Sequence, residues 1–342
     1  MFVAGALLNS LTGSAINAGL LSLLLSLVCG PHLIRWLKSR FTERIVSDSA
    51  TLNELHAAKK NTPTMGGLLI SGTTILGILC FNDTSAPLTW LFCGTVLSLT
   101  LLGASDDWIK LRTHRKGMTA RQKLSGQTII AIASATGIYM LHRESGSSGI
   151  VHIPGIDAQL QLGICWIPWA VFVIVGASNA VNLTDGLDGL ASGSSAILSI
   201  ALVLIICGGT LAGVDEESVA VAGVSCGALA GSTLGFLWWN RHRARIFMGD
   251  TGSLPIGGLL AITSLATGTE LLLAIAGLVF VVETLSVILQ VAWYRRTRSR
   301  ILLCSPLHNH FVFQGVAETK IVLWFWMAAM VAAVLGVCVA FW

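Results

Sequence analysis

Residues 13–40 read GSAINAGLLSLLLSLVCGPHLIRWLKSR. The run carries no charge from 13 to 34 and then meets Arg35, Lys38 and Arg40. A helix needs about 20 such residues to cross the hydrocarbon core of a bilayer. The apolar residues follow one another instead of alternating, which favours a helix over a barrel strand, whose pattern has a period of two. The stretch is too long for the apolar part of a signal peptide and lacks a small-residue cleavage site, so it is expected to remain as a span.

The same pattern recurs along the chain and predicts ten spans: 13–34, 66–81, 87–104, 124–141, 163–181, 186–208, 218–239, 252–268, 270–292 and 320–342. Composition agrees. Apolar residues make up 54% of the 342 and charged residues only 11%, with a mean hydropathy of +0.77. A soluble domain carries about 25% charged residues, and a disordered chain is biased the other way. The expected fold is therefore an all-α polytopic membrane protein, a single domain over 1–342. The eight cysteines form no C-x-x-C pair and fall mostly in apolar runs, so they read as small buried hydrophobes.

Charge placement tests the count. All of the 21 Lys and Arg residues except Arg143 fall in the gaps after spans 1, 3, 7 and 9 or, as Lys320, at the first residue closing the last of these gaps. Positive charge collects on the cytoplasmic side, which puts those gaps and the 5–6 gap in the cytoplasm and both termini outside. The opposite connections carry Asp83 or the Asp215-Glu216-Glu217 run. The segment GIVHIPGIDAQLQLG (149–163) alternates and contains Pro and Gly, which predicts a small outer hairpin near 148–162.

Five carboxylates then stand out at cytoplasmic span ends, where acids near hydrocarbon are costly. They are Asp106 and Asp107 in GASDDWIKL, Asp185 and Asp188 in NAVNLTDGLDGLA, and Asp250 in RIFMGDTGSLP. A lone acid there caps a helix or pairs with Lys or Arg. Five in Gly- and Asn-containing segments point to chemistry: carboxylate oxygens suit Mg2+, glycines let backbone N–H groups approach anions, and Lys59, Lys110 and Lys123 add positive charge. Together these are the parts of phosphoryl transfer at a membrane surface. His308, Asn309 and His310 suit either a metal or a solvated loop. Glu283, inside the ninth span, is expected to be satisfied within the bundle.

Six segments carry a family resemblance: HAAKKNTPTMGG (56–67), DDWIK (106–110), GMTARQKLSGQ (117–127), NAVNLTDGLDGLA (179–191), FMGDTGSLPIGG (247–258) and PLHNHF (306–311). In this order, and over nearly the whole chain, it resembles the phospho-N-acetylmuramoyl-pentapeptide transferases within the polyprenyl-phosphate N-acetylhexosamine-1-phosphate transferases. The resemblance implies a Mg2+-dependent enzyme of the bacterial cytoplasmic membrane with a cytoplasmic active-site cleft. Phospho-MurNAc-pentapeptide would pass from UDP-MurNAc-pentapeptide to undecaprenyl phosphate, giving lipid I and UMP for peptidoglycan synthesis. It implies Asp250 as metal ligand, and Asp106, Asp107, Lys123 and His308 as further catalytic groups. Lys59, Thr64, Asn182, Asp185, Gly186, Leu187, Asp188, Asn240, Phe247, Gln290 and His310 match substrate-binding positions. No nucleic-acid partner is implied. Aromatic residues on spans 7 and 10 suit either an interfacial belt or a homodimer contact.

The last motif departs from the family pattern of three histidines, an aromatic and an acid. Asn309 stands for the middle histidine and Val312 for the acid. Asn keeps a donor and an acceptor but carries no charge. Two rival readings remain: a sister transferase using another UDP-sugar, and a cation-coupled transporter. A transporter places its acids near the bilayer midplane, often in inverted repeats, whereas these cluster at one face.

Overall fold

The computed structural model describes residues 2–40, 62–113, 117–144, 148–156, 158–208 and 213–342. Helix α1 (Phe2–Lys38) takes the run quoted above, with Arg35 and Lys38 in its last turn, where cations face the negative end of the helix dipole. Next come α2 (Gly67–Phe81), α3 (Pro87–Arg112) and α4 (Ala120–Glu144). The expected hairpin follows as antiparallel β1 (Ile150–Ile153) and β2 (Ala158–Gln161), with Ile150 opposite Gln161. The chain continues through α5 (Trp166–Thr184), α6 (Leu190–Gly208), α7 (Glu216–Asn240) and α8 (Asp250–Ala266). It ends with α9 (Glu270–Ala276), α10 (Leu278–Thr297), α11 (Leu307–Phe313) and α12 (Glu318–Ala340).

Among the described residues, 8 helices are long and apolar enough to cross a membrane: α1, α3, α4, α5, α6, α7, α10 and α12. The protein is a polytopic membrane protein. The other two expected spans form shorter helices, α2 with 15 residues and α8 with 17. Helix α8 is buried along its whole length, so it meets protein rather than lipid. Its neighbours approach backbone to backbone. A Cβ on Gly67 would strike the Gly252 backbone, one on Gly103 the Asp250 carbonyl, and one on Gly257 the Ala177 carbonyl. Small residues give membrane helices this close packing.

The expected ninth span, 270–292, is not one helix. Gly277, with φ −93° and ψ 21°, separates α9 from α10, and glycine is a poor interior helix residue. The sixth span also begins later than 186. Residues 185–189 form a loop in which Gly189 has φ +84°, and α6 starts at Leu190.

The two ends of the bundle differ. At one, the hairpin lies where α8 and α12 finish: a Cβ on Gly268 would meet His152 at 2.7 Å, and one on Gly155 would meet Val339 at 3.9 Å. At the other end Arg40, Arg112, Arg241, Arg245 and Lys320 stand 4.0–5.7 Å from the rings of Trp36, Trp108, Trp238, Trp239 and Trp324. Such cation–π pairs join two groups that favour the membrane interface. The candidate site lies at this basic end.

Candidate active site

Asp106 and Asp107 are consecutive on α3, so they point about 100° apart and meet different neighbours. Asp106 Oδ1 accepts the Met118 N–H, and its Oδ2 lies 2.7 Å from Lys110 Nζ. Gly117 makes this approach feasible: its φ is +105°, and a Cβ there would come within 2.6 Å of Asp106 Oδ1. Asp107 turns to the start of α8. Its Oδ1 accepts the Asp250 N–H at 3.2 Å, and its Oδ2 accepts the Thr251 N–H at 3.0 Å and hydroxyl at 2.6 Å. A helix leaves its first N–H groups unpaired, and a carboxylate satisfies them while facing the positive end of the dipole. Asp107 is the cap that fixes Asp250.

Asp250 is the first residue of α8. The preceding Gly249 has φ 68° and ψ 178°, a region essentially restricted to glycine. Asp250 Oδ2 takes Lys123 Nζ at 2.7 Å and Lys110 Nζ at 3.1 Å. Its Oδ1 accepts from Asn182 Nδ2 at 2.7 Å, and Asn182 Oδ1 accepts from Lys123 Nζ at 3.2 Å. Asn182 also donates to Ser253 Oγ at 2.8 Å. One amide thus locks lysine and carboxylate together.

Ligand oxygens of Asp106, Asp107 and Asp250, all buried, lie within 4.8 Å of one another. Two ammonium groups face three carboxylates, so one negative charge is left over when all are ionised. Excess buried charge is expensive, and an all-oxygen donor set suits a hard divalent cation. The cluster can hold a metal. A second group, Asp188, His242 and Glu318, also falls within 4.8 Å. His242 Nδ1 lies 3.5 Å from Asp188 Oδ2 and 3.8 Å from Glu318 Oε2. Its carboxylates also hold backbone: Asp188 Oδ2 accepts the Ala244 N–H, and Glu318 Oε1 accepts the Asp188 N–H.

The segment 62–67 runs beside 246–249. Phe247 N–H donates to Pro63 O at 2.8 Å, and the Gly66 and Gly67 N–H groups donate to Phe247 O and Met248 O at 2.8 and 2.9 Å. Thr64, buried there, sits 3.0 Å from where a Cβ of residue 249 would stand. Five of the six sequence motifs therefore converge on one cluster.

Comparison with known proteins fits this convergence. Residues 59–70 match the phospho-N-acetylmuramoyl-pentapeptide-transferase signature 1, and residues 88–268 match glycosyl transferase family 4. A phospho-N-acetylmuramoyl-pentapeptide-transferase of Granulibacter bethesdensis is 43% identical over 330 residues, covering 92% of this chain and 89% of that one. Proteins of the same description from Bacillus pumilus and Oleidesulfovibrio alaskensis are 40% and 38% identical, covering 94% and 96% of this chain and 97% and 93% of their own. The chain belongs to the phospho-N-acetylmuramoyl-pentapeptide-transferase family.

In this transferase the other candidates make contacts of their own. Asp185 ends α5 three residues after Asn182. Gly186 is exposed and Leu187 buried. Asn240 is buried and holds two segments together. Its Oδ1 accepts from Gly189 N–H and Ser192 Oγ at 3.0 Å, and its Nδ2 donates to Ile246 O at 2.9 Å. Gln290 folds the 301–302 loop, accepting both of its N–H groups and donating to Leu302 O. It also lines a cavity of about 540 Å³ with Tyr294, Arg295 and Arg300. His308 is buried against Glu283, while His310 Nδ1 accepts the Leu303 N–H at 3.2 Å. Val312, at the position of the family acid, packs with Leu307 and Phe311 against an apolar cluster containing Leu187 and Ile321. Lys59 lies outside the described residues.

In the sequence Lys110 stands out only as added charge, and nothing there marks the roles of Thr251, Ser253 and Met118. Lys110 was legible as the i+4 partner of Asp106. The others depend on how α8 and the 117–119 turn meet α3.

Proposed function

We propose that this chain transfers phospho-MurNAc-pentapeptide from UDP-MurNAc-pentapeptide to undecaprenyl phosphate, giving lipid I and UMP, with Mg2+ as its metal. The observation that carries this reading is the convergence of five motifs on three carboxylates, two lysines and Asn182. The names of the relatives supply the transferred group. Charge placement supports a cytoplasmic site in the bacterial cytoplasmic membrane and both termini outside. Ten spans follow if α2 and α8, shortened where protein replaces lipid around them, cross with the eight long helices. Residues 1–342 form one domain.

Asp106, Asp107 and Asp250 would hold the ion. When bound, Mg2+ neutralises charge on the donor pyrophosphate. Lys110 and Lys123 add fixed positive charge where two anionic substrates must meet, and Asn182 keeps Lys123 aimed. The donor's nucleotide and sugar would lie among Lys59, Thr64, Asp185, Gly186, Leu187, Asp188, Asn240, Phe247, Gln290 and His310. The acceptor phosphate has a second pKa of about 6, so near neutral pH it arrives mostly as a dianion. A general base has little proton to remove. Direct attack follows: a lipid phosphate oxygen bonds to the sugar-bearing phosphorus, and the bridging P–O bond breaks to release UMP. Asp107 has both oxygens engaged in capping α8, which suits positioning rather than attack. A phosphorylated Asp106 trapped without acceptor would contradict direct transfer.

The test offers UDP-MurNAc-pentapeptide and UDP-N-acetylglucosamine together with undecaprenyl phosphate and identifies which lipid-linked sugar forms, since both donors release UMP. Preference for the muramoyl donor supports the reading, and preference for the other assigns the chain to a sister activity. Asn309→His is expected to change turnover by no more than about threefold, because the carboxylates and lysines of the cluster are all retained. Undetectable turnover in the natural chain, restored by Asn309→His, would show that a cationic middle histidine is required.

A further inference from the structure

Glu283 lies on α10 with no exposed surface, and His308, the second residue of α11, is 1% exposed. A carboxylate inside an apolar helix is costly unless paired. Glu283 Oε1 accepts the His308 backbone N–H at 3.1 Å, and Oε2 lies 3.1 Å from His308 Nδ1. Beside it, Ser286 Oγ accepts the Leu307 N–H at 3.0 Å. Helix α10 thus caps the first turn of α11, and the capping carboxylate also holds the ring. At the ring's other edge, Nε2 lies so close to Gly186 that a Cβ there would overlap it. Gly186 is exposed, in the loop between Asp185 and Asp188.

Capping needs only one carboxylate oxygen. The second has its own consequence: an ionised carboxylate accepts and cannot donate, so it holds a proton on Nδ1 and leaves Nε2 as the nitrogen turned to the loop. We propose that Glu283 is a positioning residue for the transfer reaction, fixing the tautomer and orientation of His308 so that Nε2 faces the 185–188 loop and the phosphate-bearing donor held there. This rests on the transferase reading above. It explains why a carboxylate sits deep in an apolar helix where an amide or hydroxyl would cap equally well.

The test uses the full-length chain in detergent with UDP-MurNAc-pentapeptide and undecaprenyl phosphate. In Glu283→Gln the amide oxygen still accepts the backbone N–H, but its NH2 cannot accept from Nδ1–H. The expected result is a fall in kcat of about 10- to 100-fold, the usual range for a group that orients a functional histidine. The KM for the lipid and the thermal midpoint stay unchanged. Glu283→Asp, which keeps the charge, recovers part of the rate. In a His308→Ala background Glu283→Gln costs nothing further, since a residue acting through another has no effect once that one is gone. Wild-type turnover in Glu283→Gln overturns the proposal. So does an undiminished loss in the His308→Ala background, or a lowered thermal midpoint with no rescue by Asp, each of which reduces Glu283 to a helix cap. A natural chain that releases no UMP contradicts the transferase reading and this proposal with it. Normal release with a silent Glu283→Gln contradicts this proposal alone.

Discussion

Asp250→Asn is expected to lower UMP release by about a thousandfold without unfolding the protein. The substitution keeps shape and removes charge. Asp250 Oδ2 is where both lysines meet, at 2.7 and 3.1 Å, and its loss leaves the Lys110 and Lys123 ammonium groups without the carboxylate they share. Affinity for a hard cation falls too, because one of three carboxylate donors becomes a neutral carbonyl. The fold survives because α8 is capped by the Asp107 carboxylate acting on the backbone N–H groups of residues 250 and 251, which the substitution does not touch. Initial rates and a thermal unfolding curve check both halves. More than a tenth of the natural rate, with unchanged metal dependence, would remove Asp250 from the metal site.

Gly249→Ala is the second large effect, and it acts through backbone geometry. At φ 68° and ψ 178°, a residue with a Cβ costs on the order of 1–3 kcal/mol. Here the Cβ would also be driven into Asp107 Oδ2, the oxygen that accepts both Thr251 groups. The expected outcome is a lower thermal midpoint together with a loss of turnover of at least about tenfold, since misplaced catalytic groups are costly. Gly163→Ala is the matched control. Its φ is +53° with nothing within 4 Å of the added Cβ, at the hairpin end of the bundle. It should lose some stability and no activity. Equal behaviour of the two variants would mean that strain alone, and not displacement of Asp107, accounts for the effect.

Much of this arrangement was legible in the sequence. Most of the uninterrupted apolar runs form long helices, and the basic residues after them mark one end of the bundle. That end had to carry Asp106, Asp107, Asp185, Asp188 and Asp250; the structure gathers Asp106, Asp107 and Asp250 into one cluster and places Asp188 in a second. The division of labour was not legible. Asp107 becomes a helix cap only because α3 and α8 touch at Gly103 and Asp250, a contact between residues 147 apart in the chain. Asn240 and Gln290, expected as substrate-binding residues, have side chains that tie down neighbouring loops. That role depends on where the 241–246 and 301–302 segments turn back. The break at Gly277 was hidden by apolar residues on both sides of it. Glu283 could be flagged as an anomaly in a span, but its partner 25 residues later was set by the return of α11 against α10.

The most direct test of the central claim follows lipid I and UMP formation by the full-length chain from UDP-MurNAc-pentapeptide and undecaprenyl phosphate, as free Mg2+ is lowered with a chelator and then restored. The account predicts one UMP per lipid I, loss of both products on chelation and recovery on adding Mg2+. Undiminished product formation in the chelated sample would contradict it, because the three-carboxylate cluster would then have no metal to hold during transfer.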